Sequence, residues 1–185
     1  VNPLRNNPDI GLLGPVTNNI GNEARVQTSY ESKADMPREA FKITRSRAGE
    51  VFDMNVAAFF CCIFPRSIFE QVGLLDENFG RGFFEDDDYC QRVRQYGYRI
   101  CCASDVCVHH HRSAGFSMGG SSQRQALFEE NKAYYESKWG EWTPHRYRPD
   151  PVVGIDNHTH TKTNSKDAIR DDAPDGSLHS ATASN

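Results

Sequence analysis

The chain has 185 residues and a formal net charge of −4, with a sequence pI of about 6.0. This length is enough for one domain with a hydrophobic core. The acidic balance and the lack of a basic stripe argue against a nucleic-acid-binding protein. No stretch approaches the ~18 consecutive apolar residues of a membrane-spanning helix, and the first residues lack the pattern of a secretory signal peptide. Because the chain opens on Val1 in a loop-like segment, we expect it to be part of a longer polypeptide.

The cysteine pattern does not predict disulfides or a zinc site. Four of the six cysteines form the adjacent pairs Cys61-Cys62 and Cys101-Cys102, inside apolar runs. Adjacent residues of a strand point to opposite faces, so such pairs do not suit an ordinary disulfide. No CxxC spacing indicates a zinc site. We interpret these side chains as small buried hydrophobic groups in a reducing compartment.

The first part of the chain is predicted to contain two buried strands and a helix. Residues 9–16 form a short apolar run with a Gly-Pro turn, which predicts a strand. Residues 17–49 are polar without a clear period, which predicts a long loop with at most one short helix. Residues 54–64, the most hydrophobic run, predict a central strand buried on both faces. Pro65 then starts a predicted helix that Gly73 closes.

Four consecutive carboxylates, Glu85 to Asp88, open the next predicted helix after a loop. Neighbouring anions raise one another's pKa values, whereas the macrodipole and free N–H groups of a helix N-terminus favour negative charge. The run is therefore interpreted either as a well-capped acidic first turn or as a functional site. The apolar face predicted for this helix consists of Tyr89, Cys90, Val93 and Tyr96.

Helical spacing separates the aspartates of this run. Asp86 lies three and four residues before two members of the apolar face, so it is predicted to face inward. Asp88 stands four residues before Arg92, which predicts an exposed ion pair worth ~0.3 kcal/mol. Asp87 is predicted to face outward. An inward carboxylate at the start of a helix indicates a ligand, a metal ion or a cleft.

Two short strands are predicted after the acidic helix, at residues 98–103 and 106–111. In the second strand, the alternation of faces places His110 on one side and His109 and His111 on the other. A helix followed by a returning strand can bring an inward carboxylate and this histidine cluster to one edge of a sheet. A carboxylate near an imidazole suits a divalent metal ion with a general base, the alternative being a helix cap and a structural histidine pair.

The last third of the chain is predicted to contain one helix and a polar tail. Residues 115–122 indicate a flexible Gly/Ser loop, and residues 123–139 predict a helix that Gly140 ends. Residues 150–185 have almost no apolar pattern, which indicates a disordered or loosely draped tail. The inner face predicted for the helix consists of Leu127, Asn131, Tyr134, Tyr135 and Lys138.

Several motifs together resemble a known family. The run VGLLDENFGRGFFEDDDYCQRVRQYGYRI, followed by VHHHRSAGFS, is similar to the C-terminal half of family 2 glycosyltransferases with a GT-A fold, of the rhamnosyltransferase and O-antigen type. Upstream, GLLGPVTNN and CCIFPRSIFEQVGLLDE resemble family segments in the same order. The resemblance implies an α/β fold, the C-terminal part of a Rossmann-like GT-A fold with a mixed sheet. It further implies an acceptor-side region at residues 1–147 and a low-complexity polar tail at residues 148–185.

The resemblance also implies catalytic roles. The Asp of the family's Glu-Asp pair is the base that takes a proton from the acceptor hydroxyl, and Glu85-Asp86 match that pair. The family's strand-end histidine, a ligand of the divalent metal, falls on His110, with His109 and His111 as alternatives if the register slips by one.

Further site residues follow from the same resemblance. Arg112 and Ser113 begin the loop that lies near the donor diphosphate in such enzymes. Phe83 and Phe84 occupy the place where an aromatic residue often lines the sugar subsites, and packing alone is an equally good account of them.

The implied reaction transfers a sugar from a nucleotide-sugar donor to a glycan or lipid-linked acceptor, with inversion and with Mg²⁺ or Mn²⁺ as cofactor. We expect the helix terminus to depress the pKa of Asp86 and so keep it ionised.

No nucleic acid is expected as a partner. We expect a cytoplasmic location at the inner face of a membrane, with peripheral association through the acceptor.

One part of the family pattern is missing. The nucleotide-binding half with its DxD motif is expected to precede Val1; Asp86-Asp87-Asp88 spells DxD, but at the position of the Glu-Asp pair. We therefore expect the chain alone to be inactive or weakly donor-binding. Two other interpretations stay open: a non-catalytic module that binds a glycan or a partner, and a metal-dependent hydrolase built on the carboxylate and histidine.

Overall fold

The computed structural model describes residues 2–111 and 121–148, which form an α/β arrangement with a small mixed sheet. Its helices and strands, in chain order, are α1 (Asn2–Asn6), β1 (Ile10–Val16), α2 (Met36–Thr44), β2 (Val51–Asp53), α3 (Arg66–Val72), a 3₁₀ turn (Glu77–Phe79), α4 (Glu85–Gln95), β3 (Arg99–Cys107) and α5 (Ser121–Trp139). The predicted strand at residues 9–16, the short helix within the long loop, and the helices after Pro65 and Phe84 are all confirmed.

The sheet has three strands in the order β1-β3-β2. β1 runs parallel to β3, while β2 is antiparallel to it. All residues of β1 are buried, and side chains from both of its faces enter apolar clusters. The carboxyl ends of β1 and β3 therefore meet at one edge of the sheet, the edge at which α/β proteins commonly place their sites.

The central strand predicted at residues 54–64 is wrong. This segment is irregular, and only Ile63 forms a bridge, to Leu13 at the outer edge of β1. Its apolar side chains are nevertheless in the core, because the segment lies across the sheet and packs under α4 through Val56 and Ala57. Its backbone hydrogen-bonds both to side chains and to other backbone groups: the side-chain amide of Asn22 donates to the carbonyl of Val56 at 2.9 Å, and the N–H of Met54 donates to the carbonyl of Ile100 at 3.0 Å. A continuous apolar run does not distinguish such a segment from a buried strand.

Strand is confirmed at residues 99–103, but the break predicted at residues 104–105 is wrong, because β3 continues through that point and ends at Cys107. The backbone of Ser104 donates to the carbonyl of Glu50 at 2.9 Å, and the carboxylate of Asp105 accepts from the amide of Gly49 at 2.8 Å. These contacts with the residues before β2 keep residues 104–105 within the strand, although its pairing with β1 shifts register between Ala103 and Cys107. The histidines at residues 109–111 lie beyond the end of β3 rather than within a second strand.

Helix α4 buries Tyr89, Cys90 and Val93, as predicted, but Tyr96 is 55% exposed. The helix ends at Gln95, and the chain turns away at Gly97, whose φ of 84° is in the left-handed region. Tyr96 therefore no longer follows the helical face.

Helix α5 is confirmed and begins at Ser121, two residues before its predicted start at residue 123. Asn131 and Tyr135 of the predicted inner face are buried. Residues 115–120 of the predicted loop lie outside the described residues. The tail predicted at residues 150–185 lies outside them as well.

All six cysteines are free thiols. The side chains of Cys90, Cys101 and Cys102 are buried, as predicted, whereas Cys61, Cys62 and Cys107 are half-buried. Within residues 2–111 and 121–148, no helix combines the length and apolarity that crossing a bilayer requires.

Candidate active site

The turn that leads into α4 has an unusual backbone. Phe83 and Phe84 both have positive φ angles, of 68° and 70°. This left-handed conformation costs an L-residue ~1–2 kcal/mol, so surrounding contacts must hold it. The side-chain amide of buried Asn131 supplies them, at 2.7 Å from the carbonyl of Phe79, 2.6 Å from that of Gly82 and 3.1 Å from that of Phe83.

The two phenylalanines differ in what they can contact. Phe84 is 4% exposed and packs with Tyr135 and Trp142, so it belongs to an aromatic core between α4 and α5. Phe83 is half-buried and meets the ring of Phe128 edge-on. Of the two residues predicted to line a sugar subsite, Phe84 has the packing role, whereas Phe83 is half-buried and has the guanidinium of Arg124 over its ring, 5.8 Å from the centroid.

Asp88 is fully buried. The ion pair predicted for it exists, but the prediction that this pair is exposed is wrong. Its carboxylate accepts from Arg92 at 2.9 Å, as predicted, and also from the indole of Trp139 at 2.9 Å and the ammonium of Lys138 at 2.5 Å. The same ammonium lies 2.7 Å from the carboxylate of Asp76. Asp88 therefore ties α4 to the end of α5 and has a structural role.

Asp87 does not face outward, contrary to the prediction. It is 8% exposed, and its carboxylate accepts from the indole of Trp142 at 3.2 Å and lies 3.0 Å from Nε2 of His145. Burial lowers the pKa of His145, but the hydrogen bond to Asp87 and the charges of Asp87 and Asp86 outweigh it and raise that pKa. Trp142 and His145 follow α5, and no local pattern links them to the acidic run, which is why the sequence did not indicate them.

Among the described residues, Asp86 is the aspartate of the run with neither a buried ion pair nor an aromatic donor. It is half-buried, and its Oδ1 accepts from the backbone N–H of Asp87 at 3.1 Å. Burial, followed by the charges of Asp87 and Glu85, raises the pKa of Asp86 to about 8. The expectation of a depressed pKa is wrong, because a helix terminus contributes ~0.3–1 kcal/mol while desolvation moves a buried carboxyl by up to ~3–5 pKa units.

Glu85 shares this environment. It is half-buried, and burial first, then the charge of Asp87, raises its pKa. Its Oε2 is shielded from solvent and has no hydrogen-bond partner among the described residues. The Glu85-Asp86 pair therefore presents two desolvated carboxyl groups with elevated pKa values, a combination that is enriched at functional sites.

His110 is fixed at the meeting point of β1 and β3. Its backbone N–H donates to the side chain of Asn18 at 2.8 Å, and its ring stacks on Phe60 with centroids 4.4 Å apart. Nδ1 lies 2.7 Å from the carbonyl oxygen of Asn19. Because a carbonyl can only accept, this contact assigns a proton to Nδ1, so in the neutral ring the lone pair is on Nε2. A backbone carbonyl in this position orients metal-binding histidines in many proteins.

The neighbouring histidines are arranged differently. Nδ1 of His109 hydrogen-bonds to the hydroxyl of Tyr30, and the ring of His111 meets that of His109 edge-on. Within residues 2–111 and 121–148, no three His, Cys, Asp or Glu side chains converge as a metal-binding group.

The segment around residues 59–62 lies between the two predicted sites. Phe60 stacks on His110, while burial, followed by the charges of Cys61 and Asp86, raises the pKa of Cys62 to about 11. Phe60 of this segment thus contacts His110, and the neighbouring Cys62 is within range of the charge of Asp86. Arg112 and Ser113, predicted near the donor diphosphate, lie outside the described residues.

Comparisons with known proteins give one match. No family model matches the chain, and no solved structure matches it. The chain is similar to a protein of Sinorhizobium fredii (strain NBRC 101917 / NGR234) that carries the name "Uncharacterized protein y4gI", with 30% identity over 79 residues. The match covers 43% of this chain and 9% of that protein, so the chain spans about a tenth of the length of the curated relative it matches.

Proposed function

We propose that the chain is the acceptor-side part of an inverting family 2 glycosyltransferase with a GT-A fold. The observation that carries this proposal is the Glu85-Asp86 pair, in which a half-buried Asp86 has a pKa of about 8. A general base works best when its pKa lies near the working pH, and this value meets that condition in mildly alkaline solution. The parallel pair β1 and β3, with His110 at its carboxyl edge, is consistent with the corresponding part of such a fold.

In the proposed reaction, ionised Asp86 takes the proton of an acceptor hydroxyl. The hydroxyl oxygen forms the new bond to the anomeric carbon from the face opposite the leaving group. The bond between that carbon and the phosphate oxygen breaks, and its electron pair leaves with the nucleotide diphosphate. Burial, followed by the charges of Asp87 and Glu85, makes Asp86 a stronger base than an exposed aspartate, because each of these favours its protonated form.

A divalent metal ion, when bound, would supply charge stabilisation for the leaving diphosphate. His110 is the residue that fits as its protein ligand, through Nε2. Its contacts with Asn18, Asn19 and Phe60 fix the ring and the tautomer.

Calorimetry with Mn²⁺ and a panel of nucleotide sugars, followed by a transfer assay, tests the proposal on the chain extended upstream. We expect metal-dependent nucleotide-sugar binding, and transfer that Asp86→Asn abolishes without loss of donor binding. Glu77→Gln, an amide substitution at an exposed carboxylate nearby, serves as the control and should keep full activity. Transfer by the Asp86→Asn variant at the wild-type rate would refute the role of Asp86.

The raised pKa of Asp86 also favours a second function, which is glycan binding by a non-catalytic module. A carboxyl with a pKa of about 8 is largely protonated at neutral pH, where it donates a hydrogen bond rather than accepts a proton. Glycan binding without nucleotide, unchanged by metal chelation, would select this function over transfer.

A further inference from the structure

Helix α2 has an exposed face that no part of the described chain covers. Pro37, Arg38, Phe41, Lys42 and Arg45 are all exposed, and they recur at the spacing that places residues on one side of a helix. Phe41 is 63% exposed, which is high for a large apolar side chain in a helix that packs against the sheet.

The opposite face of α2 explains why the helix is oriented this way. Ile43 packs against the main core cluster, which directs Phe41 away from it. Glu39 also turns away from the exposed face, and its carboxylate accepts from the hydroxyl of Ser29 at 3.0 Å. The remaining acid near the face is the N-cap Asp35, which pairs with Arg38 at 3.2 Å.

The exposed face therefore combines cations and an aromatic ring on a protein that is acidic as a whole. Three long basic side chains, Arg38, Lys42 and Arg45, surround Phe41, whereas the complete chain has a net charge of −4. Helices that lie in the interface of an anionic bilayer combine Lys and Arg with Trp, Phe or Leu side chains, and the exposed part of α2 offers both kinds of side chain. The basic side chains extend their stems along the apolar layer and place their charges among lipid phosphates, while the ring enters the acyl boundary.

We propose that α2 binds the surface of an anionic lipid bilayer, with Phe41 as the inserted side chain and Arg38, Lys42 and Arg45 as the phosphate contacts. Such a surface is complementary in charge to this face and offers the ring an apolar layer, which a soluble polyanion does not. Binding through one short helix is weak and reversible, and it is sensitive to salt.

The location of α2 connects this surface with the candidate site. Ser29, which holds Glu39, precedes Tyr30, and the Tyr30 ring packs edge-on against His109 with centroids 5.6 Å apart. The bound helix would therefore hold the strand-end histidines near the membrane. If the proposed transfer also holds, a lipid-linked acceptor is the substrate class that this arrangement favours, but membrane binding itself does not depend on the transfer.

Vesicle co-sedimentation of the 185-residue chain tests the proposal without an activity assay. We expect binding to mixed phosphatidylglycerol–phosphatidylcholine vesicles and little binding to phosphatidylcholine vesicles. Phe41→Ser should weaken binding about tenfold, and the double variant Lys42→Glu/Arg45→Glu should abolish it. Two matched controls should bind as wild type: Leu74→Ser, which removes an apolar side chain that is 70% exposed, and Arg66→Glu, which reverses an exposed charge on α3.

Three outcomes would overturn the proposal: no binding to anionic vesicles, equal binding to both vesicle types, or equal losses in Phe41→Ser and Leu74→Ser. Retention on heparin that depends on the charges but not on Phe41, with no binding to vesicles, would also overturn it and identify a soluble polyanion instead. Circular dichroism should show unchanged folding in every variant, because all the altered side chains are exposed.

Discussion

The side-chain amide of Asn131, on α5, lies 3.1 Å from the backbone carbonyl of Phe83, a residue with a φ of 68°. The same amide reaches the carbonyls of Phe79 and Gly82, so one buried side chain holds the whole turn before α4. This turn determines where the helix begins and hence where Glu85 and Asp86 stand. The position of the candidate site thus depends on a residue about 50 positions further along the chain.

Replacing Asn131 by Ala should destabilise the protein by ~2–4 kcal/mol, because three carbonyls lose their buried donor and a strained turn loses its restraint. Urea unfolding measures this change. Asn78→Ala, at an exposed position in the preceding 3₁₀ turn, is the control and should cost less than ~1 kcal/mol. Equal free-energy changes for the two variants would show that the turn does not depend on Asn131.

Lys138→Met should destabilise the protein by ~2–4 kcal/mol near neutral pH, because it leaves the fully buried Asp88 without its nearest cation. Lys132→Met, one and a half turns earlier on α5, removes an i,i+4 pair with Glu136 at 3.7 Å and should cost less than ~0.5 kcal/mol.

The cost of Lys138→Met should also depend on pH. Lys138, followed by the backbone N–H of Asn78, holds the pKa of Asp76 well below its usual range in spite of burial. A group with a depressed pKa in the folded state contributes stability above its unfolded pKa and loses it as the pH falls. The difference between wild type and Lys138→Met should therefore shrink when the pH falls below ~4. A difference that stays constant down to pH ~2 would contradict the assignment.

Gly11→Ala should destabilise the protein by ~1–3 kcal/mol, because β1 and α4 approach too closely for a methyl group. An added Cβ would lie 2.6 Å from Cγ1 of Val93 and 2.7 Å from Cβ of Tyr98. Gly21→Ala is the matched control, since its Cβ would meet no atom within 4 Å. Thermal unfolding of the two variants compares them, and a melting temperature for Gly11→Ala at or above that of the control would contradict this packing.

Asp86→Asn should stabilise the protein in alkaline solution. Burial and the charges of Asp87 and Glu85 raise the folded-state pKa of Asp86 to about 8, above the ordinary value of 3.8, so the folded protein holds a proton that the unfolded chain has released. The stability contributed by the protonated form is complete below pH ~4 and is lost as the pH rises through ~8. Asparagine does not titrate, so the variant should gain ~1–3 kcal/mol over wild type at pH ~9 and little at pH ~4.

Asp88→Asn provides the contrast for this prediction. Its side chain is equally part of the acidic run but has three cationic or N–H donors, so an amide should destabilise the protein across the same pH range. Stabilisation by Asp88→Asn, or loss of stability in Asp86→Asn at pH ~9, would show that the environments of the two aspartates have been assigned the wrong way round.

The sequence predicted correctly those helices and strands whose signals lie within the element or at its ends. Pro65 and Gly73 bound α3, the apolar run at residues 9–16 became β1, and the spacing of Tyr89, Cys90 and Val93 gave the buried face of α4. Segment 54–64 was mistaken for a strand because hydrophobicity reports burial and not backbone pairing.

The candidate site was predicted only in part, for a similar reason. Helical spacing singled out Asp86, but the environments of Asp87 and Asp88 depend on residues at or after the end of α5, namely Lys138, Trp142 and His145. Contacts over such sequence separations leave no periodic signal. The pKa of Asp86 is raised mainly by burial, which likewise only the packed structure reveals.

The side-chain ¹³C chemical shift of Asp86, followed through a pH titration and assigned by comparison with Asp86→Asn, tests the central claim most directly. We expect a midpoint at about 8, because burial and the neighbouring carboxylates favour the protonated form. A midpoint at or below ~4, the value of an exposed aspartate, would contradict the claim that Asp86 is the desolvated, basic carboxylate of this site.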